Sequence, residues 1–166
     1  YYEVPAHVAR RIYRDTRAVL SPKAPEVAEA RLVIAPGPVA LRAYRPAGAK
    51  PEEALPALVY FHGGGWVIGD LDTHDVVCRT LANGARCAVF SVEYRKAPEA
   101  PFPAAVDDCF SALSYVFRNS NSLKVNAKQI AVGGDSAGGN LATVMALMAR
   151  EAGGPAFSSP ISFQVL

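Results

Sequence analysis

The chain has 166 residues, 51% of them hydrophobic and 19% charged, and 17 basic against 15 acidic side chains leave a formal net charge of +2. A chain of that size suits one domain, which buries roughly 70% of its unfolded surface. No basic block is longer than Arg10-Arg11, which argues against a nucleic-acid surface, and the longest apolar run, Val144 to Ala149, falls far short of the roughly 18 residues a membrane span needs.

In chain order, residues 7 to 20 read as an amphipathic helix with Val8, Ile12, Thr16, Val19 and Leu20 on its buried face and Arg10, Arg11, Arg14, Asp15 and Arg17 largely opposite, ended by Pro22 and Pro25. Glu29 to Ala35 and Val39 to Tyr44 read as a hairpin around Pro36-Gly37-Pro38. A polar loop, Pro46 to Pro56, precedes the buried strand Pro56 to Phe61. After a glycine cluster, Asp72 and Asp75 resemble an N-cap pair for a helix through Val76, Val77, Thr80 and Leu81 to about Asn83-Gly84. Cys87 to Val92 is the next buried strand. Pro98, Pro101 and Pro103 stiffen a loop, and Pro103 suits a helix start whose buried stripe is Val106, Phe110, Leu113 and Phe117. Gln129 to Val132 reads as a short strand, followed by a helix with Leu141, Val144, Met145 and Met148 on one face and a stop at Gly153-Gly154-Pro155. Ile161 to Leu166 begins a sixth strand. Strands alternating with helices predict an α/β fold with a mostly parallel sheet and helices on both faces.

Two glycine-rich corners carry the chemistry. In Gly134-Asp135-Ser136-Ala137-Gly138 a serine sits where a strand turns sharply into a helix, and glycines two positions to either side remove collisions in so tight a turn. The serine is then held in a strained conformation with its hydroxyl exposed, near the N–H groups and positive dipole end of the new helix. Alone, the three-residue pattern turns up by chance in about one chain in twenty of this length. A glycine-rich turn with a serine cap is the competing explanation. The second corner, His62-Gly63-Gly64-Gly65-Trp66, follows a buried strand and lets backbone N–H groups converge on one point, as an oxyanion requires. Phosphate binding is the alternative for this loop, but neither cluster has G-x-G-x-x-G spacing and no Gly-Lys-Ser/Thr follows.

These two motifs, with Tyr94-Arg95-Lys96-Ala97-Pro98-Glu99 between them, resemble the hormone-sensitive-lipase-like esterases of the α/β-hydrolase superfamily, strongly over residues 56 to 150 and more loosely before. The resemblance implies Ser136 as nucleophile, the N–H groups of Gly64, Gly65 and Ala137 as the oxyanion hole, and His62 as a residue that shapes the loop. Small to medium acyl esters are the implied substrates, with no metal or organic cofactor. It also implies that the first helix belongs to a cap over the active site, so residues 1–25 are expected to form a cap segment and 26–166 the N-terminal part of the hydrolase core. Tyr1, Tyr2 and Tyr13 then either face the substrate or pack as ordinary surface residues, and Trp66 helps to shape the pocket. Lys96 departs from the family's usual leucine, in a loop expected to brace the fold.

A serine needs a base, and the base an acid. The superfamily order is Ser, then Asp or Glu, then His, yet after Ser136 the sequence offers Glu151 and no histidine. His74, in the first turn of a helix, is expected to be solvent-exposed or capping. His7 lies just before the first helix and has no catalytic role. Asp135 is expected to point away from the reaction and to hydrogen-bond structurally. The expectation is therefore the N-terminal half of a longer enzyme, with the acid and histidine in sequence beyond this chain. The alternative is a non-catalytic small-molecule-binding protein on the same scaffold, as in the plant gibberellin receptors. Cys78, Cys87 and Cys109, widely spaced and without C-x-x-C, read as buried free thiols. No secretory signal is visible, although the chain opens on Tyr1-Tyr2 without an initiating methionine, and a soluble, cytoplasmic protein is expected.

Overall fold

The computed structural model describes residues 3–37, 39–153 and 161–166. Tyr1, Tyr2, Pro38 of the predicted turn, and Gly154-Pro155 of the predicted helix stop lie outside them. Six strands and four helices follow in the order α1 (Ala6–Leu20), β1 (Glu29–Ala35), β2 (Val39–Arg45), β3 (Leu55–Phe61), α2 (Asp75–Ala85), β4 (Ala88–Glu93), α3 (Ala104–Arg118), β5 (Val125–Gly134), α4 (Ala137–Ala152) and β6 (Phe163–Val165).

The strands form one sheet in the order β1-β2-β4-β3-β5-β6. The β1–β2 hairpin is antiparallel, with Leu32 opposite Arg42, and β2 also runs antiparallel to β4. From β4 through β3 and β5 to β6 every pairing is parallel. Side-chain alternation splits the interior in two. Ala57, Val59 and Phe61 of β3 join Ala88, Phe90 and Val92 of β4 in a core covered by Cys109, Leu113 and Val116 of α3 and Leu141 and Met145 of α4. Leu58 and Tyr60 point the other way, with Val89 and Tyr44, onto Cys78 and Ala82 of α2. Helices thus cover both faces of a mixed α/β sheet, as expected, with β3 and β5 at its parallel centre.

Several local expectations are corrected. Asp72 does not cap α2: its carboxylate pairs with Arg42 at 2.8 Å, and His74 occupies the cap position. The turn before α2 is tied instead by Asp70, whose carboxylate accepts from the N–H groups of Asp72 and Thr73. In α3 the buried stripe is Ala105, Cys109, Ala112, Leu113, Val116 and Phe117, and Val106 and Phe110 are only half-buried. Pro103 precedes the helix as its cap residue.

The largest correction is the orientation of α1. Of the predicted buried face, Ile12 is exposed and Val19 and Leu20 are 83% and 74% exposed, while the helix presses its arginines onto the body. Arg10 donates to the carbonyls of Val67 (2.7 Å) and Ala97 (2.8 Å) and pairs with Glu99. One turn on, Arg14 pairs with Asp70 at 2.6 Å, and Arg17 Nε lies 3.4 Å from the Thr73 carbonyl. A guanidinium's fork satisfies loop carbonyls that an apolar side chain would leave unpaired.

The three cysteines are buried and free, and burial pushes the Cys78 thiol up to about 12 and Cys87 to about 11. No helix among the described residues is long and apolar enough to cross a membrane.

Candidate active site

β3 and β5 are parallel neighbours, Phe61 standing opposite Gly134 in the last step of their ladder. Both strands therefore release the chain at one edge, β3 into His62-Gly63-Gly64-Gly65-Trp66 and β5 into the serine corner. Ser136 has φ 53° and ψ −117°, a conformation that costs a non-glycine residue on the order of 1–3 kcal/mol. It immediately precedes α4, is exposed, and its hydroxyl makes no hydrogen bond to any described residue.

The flanking glycines are explained by one group, the Phe61 carbonyl. A Cβ on Gly138 would collide with that oxygen and lie 2.7 Å from the Phe61 carbonyl carbon and 2.9 Å from that of His62. A Cβ on Gly134 would meet the same oxygen and the Gly138 carbonyl, both of whose atoms lie 2.5 Å away. In the upstream loop Gly64 and Gly65 adopt φ of 125° and 60°, and Trp66 follows at 59°. Among the described residues, the N–H groups of Gly64, Gly65 and Ala137 donate to no protein acceptor. Three unclaimed donors thus lie on the two turns that leave this edge.

Asp135 joins the two turns. Its Oδ1 accepts from Gly63 N–H at 2.9 Å and from the Tyr60 hydroxyl at 2.7 Å, and His74 Nε2 lies 3.4 Å from the same oxygen. Half-burial alone would raise this carboxyl, but the donors from His74, Tyr60 and Gly63 outweigh it and hold it well below the usual carboxylate range.

His62 is fully buried; its ring stacks on Tyr94 at 4.3 Å and its Nδ1 donates to the Gly63 carbonyl at 2.8 Å. Tyr94 O–H donates to the His62 carbonyl at 2.6 Å. Burial, with the charge of Lys96 adding to it, brings His62 down to about 4, although the Gly63 carbonyl opposes the shift. Lys96 itself pairs with Glu93 and lies over the Tyr94 ring, and Glu93 accepts from Leu71 N–H.

His74 overturns its expected exposure. It is 2% exposed, makes no side-chain cap bond, and lies against His62 with ring centroids 5.5 Å apart. Its place at the head of α2 was legible, whereas its burial depends on the loop from Gly63 to Thr73 folding back, which no sequence periodicity reports. His7 lies inside α1 rather than before it and is exposed. Glu151 sits in the last turn of α4, 15 residues and about 22 Å of helix from Ser136. No histidine or carboxylate among the described residues hydrogen-bonds Ser136, and none gathers with others to hold a metal ion.

Beside the glycine loop opens a cleft of about 350 Å³, lined by Gly65 and Trp66 on one side and by Ala97, Ala100, Phe102 and Val106 on another. Trp66 is 40% and Phe102 87% exposed. Its wall is mostly apolar, with the Arg95 guanidinium tied to Asp108 at 2.7 Å.

Residues 58–166 match the model of a family described as alpha/beta hydrolase fold. The chain is 54% identical over 112 residues to the carboxylesterase NlhH of Mycobacterium tuberculosis, an alignment covering 68% of this chain and 34% of that protein. It is 40% identical over 145 residues to the ethyl acetate hydrolase of Pseudomonas putida, covering 85% and 46%. Among solved structures, the hyperthermophilic esterase from the archaeon Pyrobaculum calidifontis superposes with a TM-score of 0.85 at 43% identity, over 98% of this chain and 51% of that one. The chain thus spans about a third to a half of the length of these relatives.

Proposed function

The chain belongs to the alpha/beta hydrolase fold family, within its hormone-sensitive-lipase-like branch, and from that membership we propose that it forms part of a serine carboxylic-ester hydrolase whose nucleophile is Ser136. The observation that carries this is the strained backbone and exposed, unbonded hydroxyl of Ser136 on a turn whose neighbour, leaving the adjacent strand, carries the unclaimed N–H groups of Gly64 and Gly65, with that of Ala137 beside the serine itself. Ser136 Oγ attacks the ester carbonyl, and those N–H groups stabilise the resulting oxyanion. The C–O bond to the alcohol breaks as the alcohol takes the proton given up by the serine. Water then adds to the acyl-enzyme and releases the carboxylic acid and free serine. His62, Gly63, Trp66, Gly134, Asp135 and Gly138 hold the two turns in shape. The apolar cleft beside Trp66 suits one carbon chain of a small to medium ester. We assign residues 1–25 to a cap segment, which the Arg10 bonds to Val67 and Ala97 support, and 26–166 to the hydrolase core.

The proton-accepting histidine and its acid are assigned to sequence outside this chain, since His62 and His74 are committed to buried contacts and His7, exposed on α1, makes no hydrogen bond to Ser136. The test is hydrolysis of p-nitrophenyl acetate and butyrate by the complete protein, with a mass measurement after treatment with a fluorophosphonate. Turnover that Ser136→Ala removes, with the added mass on the Ser136 peptide, is expected. Turnover surviving in Ser136→Ala overturns the assignment. A wild type that neither hydrolyses nor labels favours the small-molecule-binding reading. The 166-residue polypeptide alone is expected to turn over little or nothing, because losing the base of a serine triad costs roughly a millionfold in kcat.

A further inference from the structure

We propose that His74 is a positioning residue for the oxyanion loop, acting through Asp135, an inference that rests on the reading of Ser136 as the nucleophile. Asp135 Oδ1 gathers contacts from three places: it accepts from Tyr60 on β3 and from Gly63 at the head of the loop, and His74 Nε2 at the start of α2 lies 3.4 Å from it. The Gly63 bond fixes the residue that precedes the two proposed oxyanion donors. It also fixes it to the neighbour of the nucleophile, so small movements of the Asp135 carboxylate are transmitted to both halves of the site.

The proton inventory determines what His74 offers. Thr73 Oγ1 accepts from Asp70 N–H at 2.9 Å, and its single proton can go either to the Asp70 carbonyl at 2.9 Å or to His74 Nδ1 at 3.0 Å. If it goes to His74, the ring is neutral with its hydrogen on Nε2. If it goes to Asp70, Nδ1 must itself donate to Thr73. Nε2 then either carries a second hydrogen, as imidazolium, or turns a lone pair toward a carboxylate oxygen 3.4 Å away, which is repulsive. Both acceptable arrangements put a proton on Nε2, facing Asp135.

The burial of His74 gives this contact leverage. At 2% exposure its ring has no alternative in solvent, and it wedges between Tyr60 (ring centroids 6.3 Å) and His62 (5.5 Å), the two residues that bracket the end of β3. The carboxylate bonded to Gly63 would oppose the oxyanion developing at the next N–H groups, and a proton on Nε2 turned toward it reduces that opposition. Loss of one oxyanion donor costs about 100- to 1000-fold in rate, so a loop merely displaced should cost about 10- to 100-fold.

The test uses the complete protein with p-nitrophenyl butyrate and three variants. His74→Phe keeps the ring volume without the donor and should lower kcat about 10- to 100-fold with KM within about 2-fold, the pattern of a lost transition-state interaction. His74→Gln retains an N–H near the Nε2 position and should recover kcat to within about 3-fold of wild type, whereas Asp135→Asn combined with His74→Phe should lose no more than Asp135→Asn alone. A His74→Phe enzyme with wild-type kcat, or a His74→Gln enzyme no better than His74→Phe, overturns the proposal. Two NMR measurements do not need turnover. The ¹⁵N spectrum of the His74 ring should report a proton on Nε2, and a bare Nε2 overturns the proposal. Protection of the Gly63 amide from exchange should fall in His74→Phe and return in His74→Gln, and unchanged protection in His74→Phe overturns it as well. A wild type without hydrolysis would remove the esterase reading, and the NMR pair would then decide the His74–Asp135–Gly63 coupling alone.

Discussion

Gly134 and Gly138 approach the same main-chain carbonyl, that of Phe61, from the two sides of the serine turn. Because the obstacle is backbone, a Cβ at either position can be relieved only by moving β3 or α4. Gly138→Ala is expected to lower stability by about 1–3 kcal/mol or more and to abolish ester hydrolysis, measured by urea unfolding and p-nitrophenyl butyrate turnover. No substitution of the Phe61 side chain should rescue it. At His62 the prediction concerns pH. Burial keeps its folded form neutral down to about 4, against 6.5 for the free group, so between those values the unfolded chain binds the extra proton. Stability is complete above about pH 6.5 and is lost as pH falls toward 4, by on the order of 3 kcal/mol if the difference is expressed in full. Denaturant midpoints measured from pH 7 to pH 4 should show the loss, and His62→Asn should flatten it. Asp135 acts lower on the scale: its depressed pKa gives stability that is present above the usual 3.8 and is lost below it.

Among the elements, α1 is held by polar contacts where the sequence pattern predicts an apolar seam. Arg10→Ala removes bonds to the Val67 and Ala97 carbonyls on either side of the proposed cap contact. It should increase amide exchange throughout α1 and open the 18–25 segment to protease, while β3 and β5 exchange as before. Arg10→Lys should restore little, since an ammonium lacks the planar fork that reaches both carbonyls and Glu99. The same helix marks where sequence reading stops. Strands such as Leu55–Phe61 and Ala88–Glu93 are legible because burial on both faces demands continuous apolar runs, and the turn around Ser136 is legible because only glycine fits two positions from it. Periodicity gives a helix two faces but not which one faces inward. In α1 that choice is made by half-buried loop carbonyls and Asp70, which come from segments more than 50 residues away. His74 escapes for a related reason, since its environment is assembled by tertiary contacts with Tyr60, His62 and Asp135.

At the scale of the whole molecule, the strand order sets the proposed site at the parallel centre and leaves β6 paired on one side only among the described strands. Phe163 is 67%, Val165 44% and Leu166 73% exposed there. An unpaired apolar edge is a template for association. The 166-residue polypeptide alone should therefore elute from size-exclusion chromatography as concentration-dependent oligomers, and Phe163→Lys with Val165→Lys should shift it toward monomer; a concentration-independent monomer before substitution would contradict this. The β3–β5 pairing carries a different consequence on the ribosome. Gly63 and Asp135, the residues that tie the two turns together, are 72 positions apart, and at about 5–20 residues per second roughly 4–15 s of synthesis separates them. Throughout that interval the nascent chain carries a completed, highly apolar β3 whose later partner has yet to be made. Ribosome stalling between α2 and β5 would prolong the exposure of that strand to chaperones and to neighbouring nascent chains.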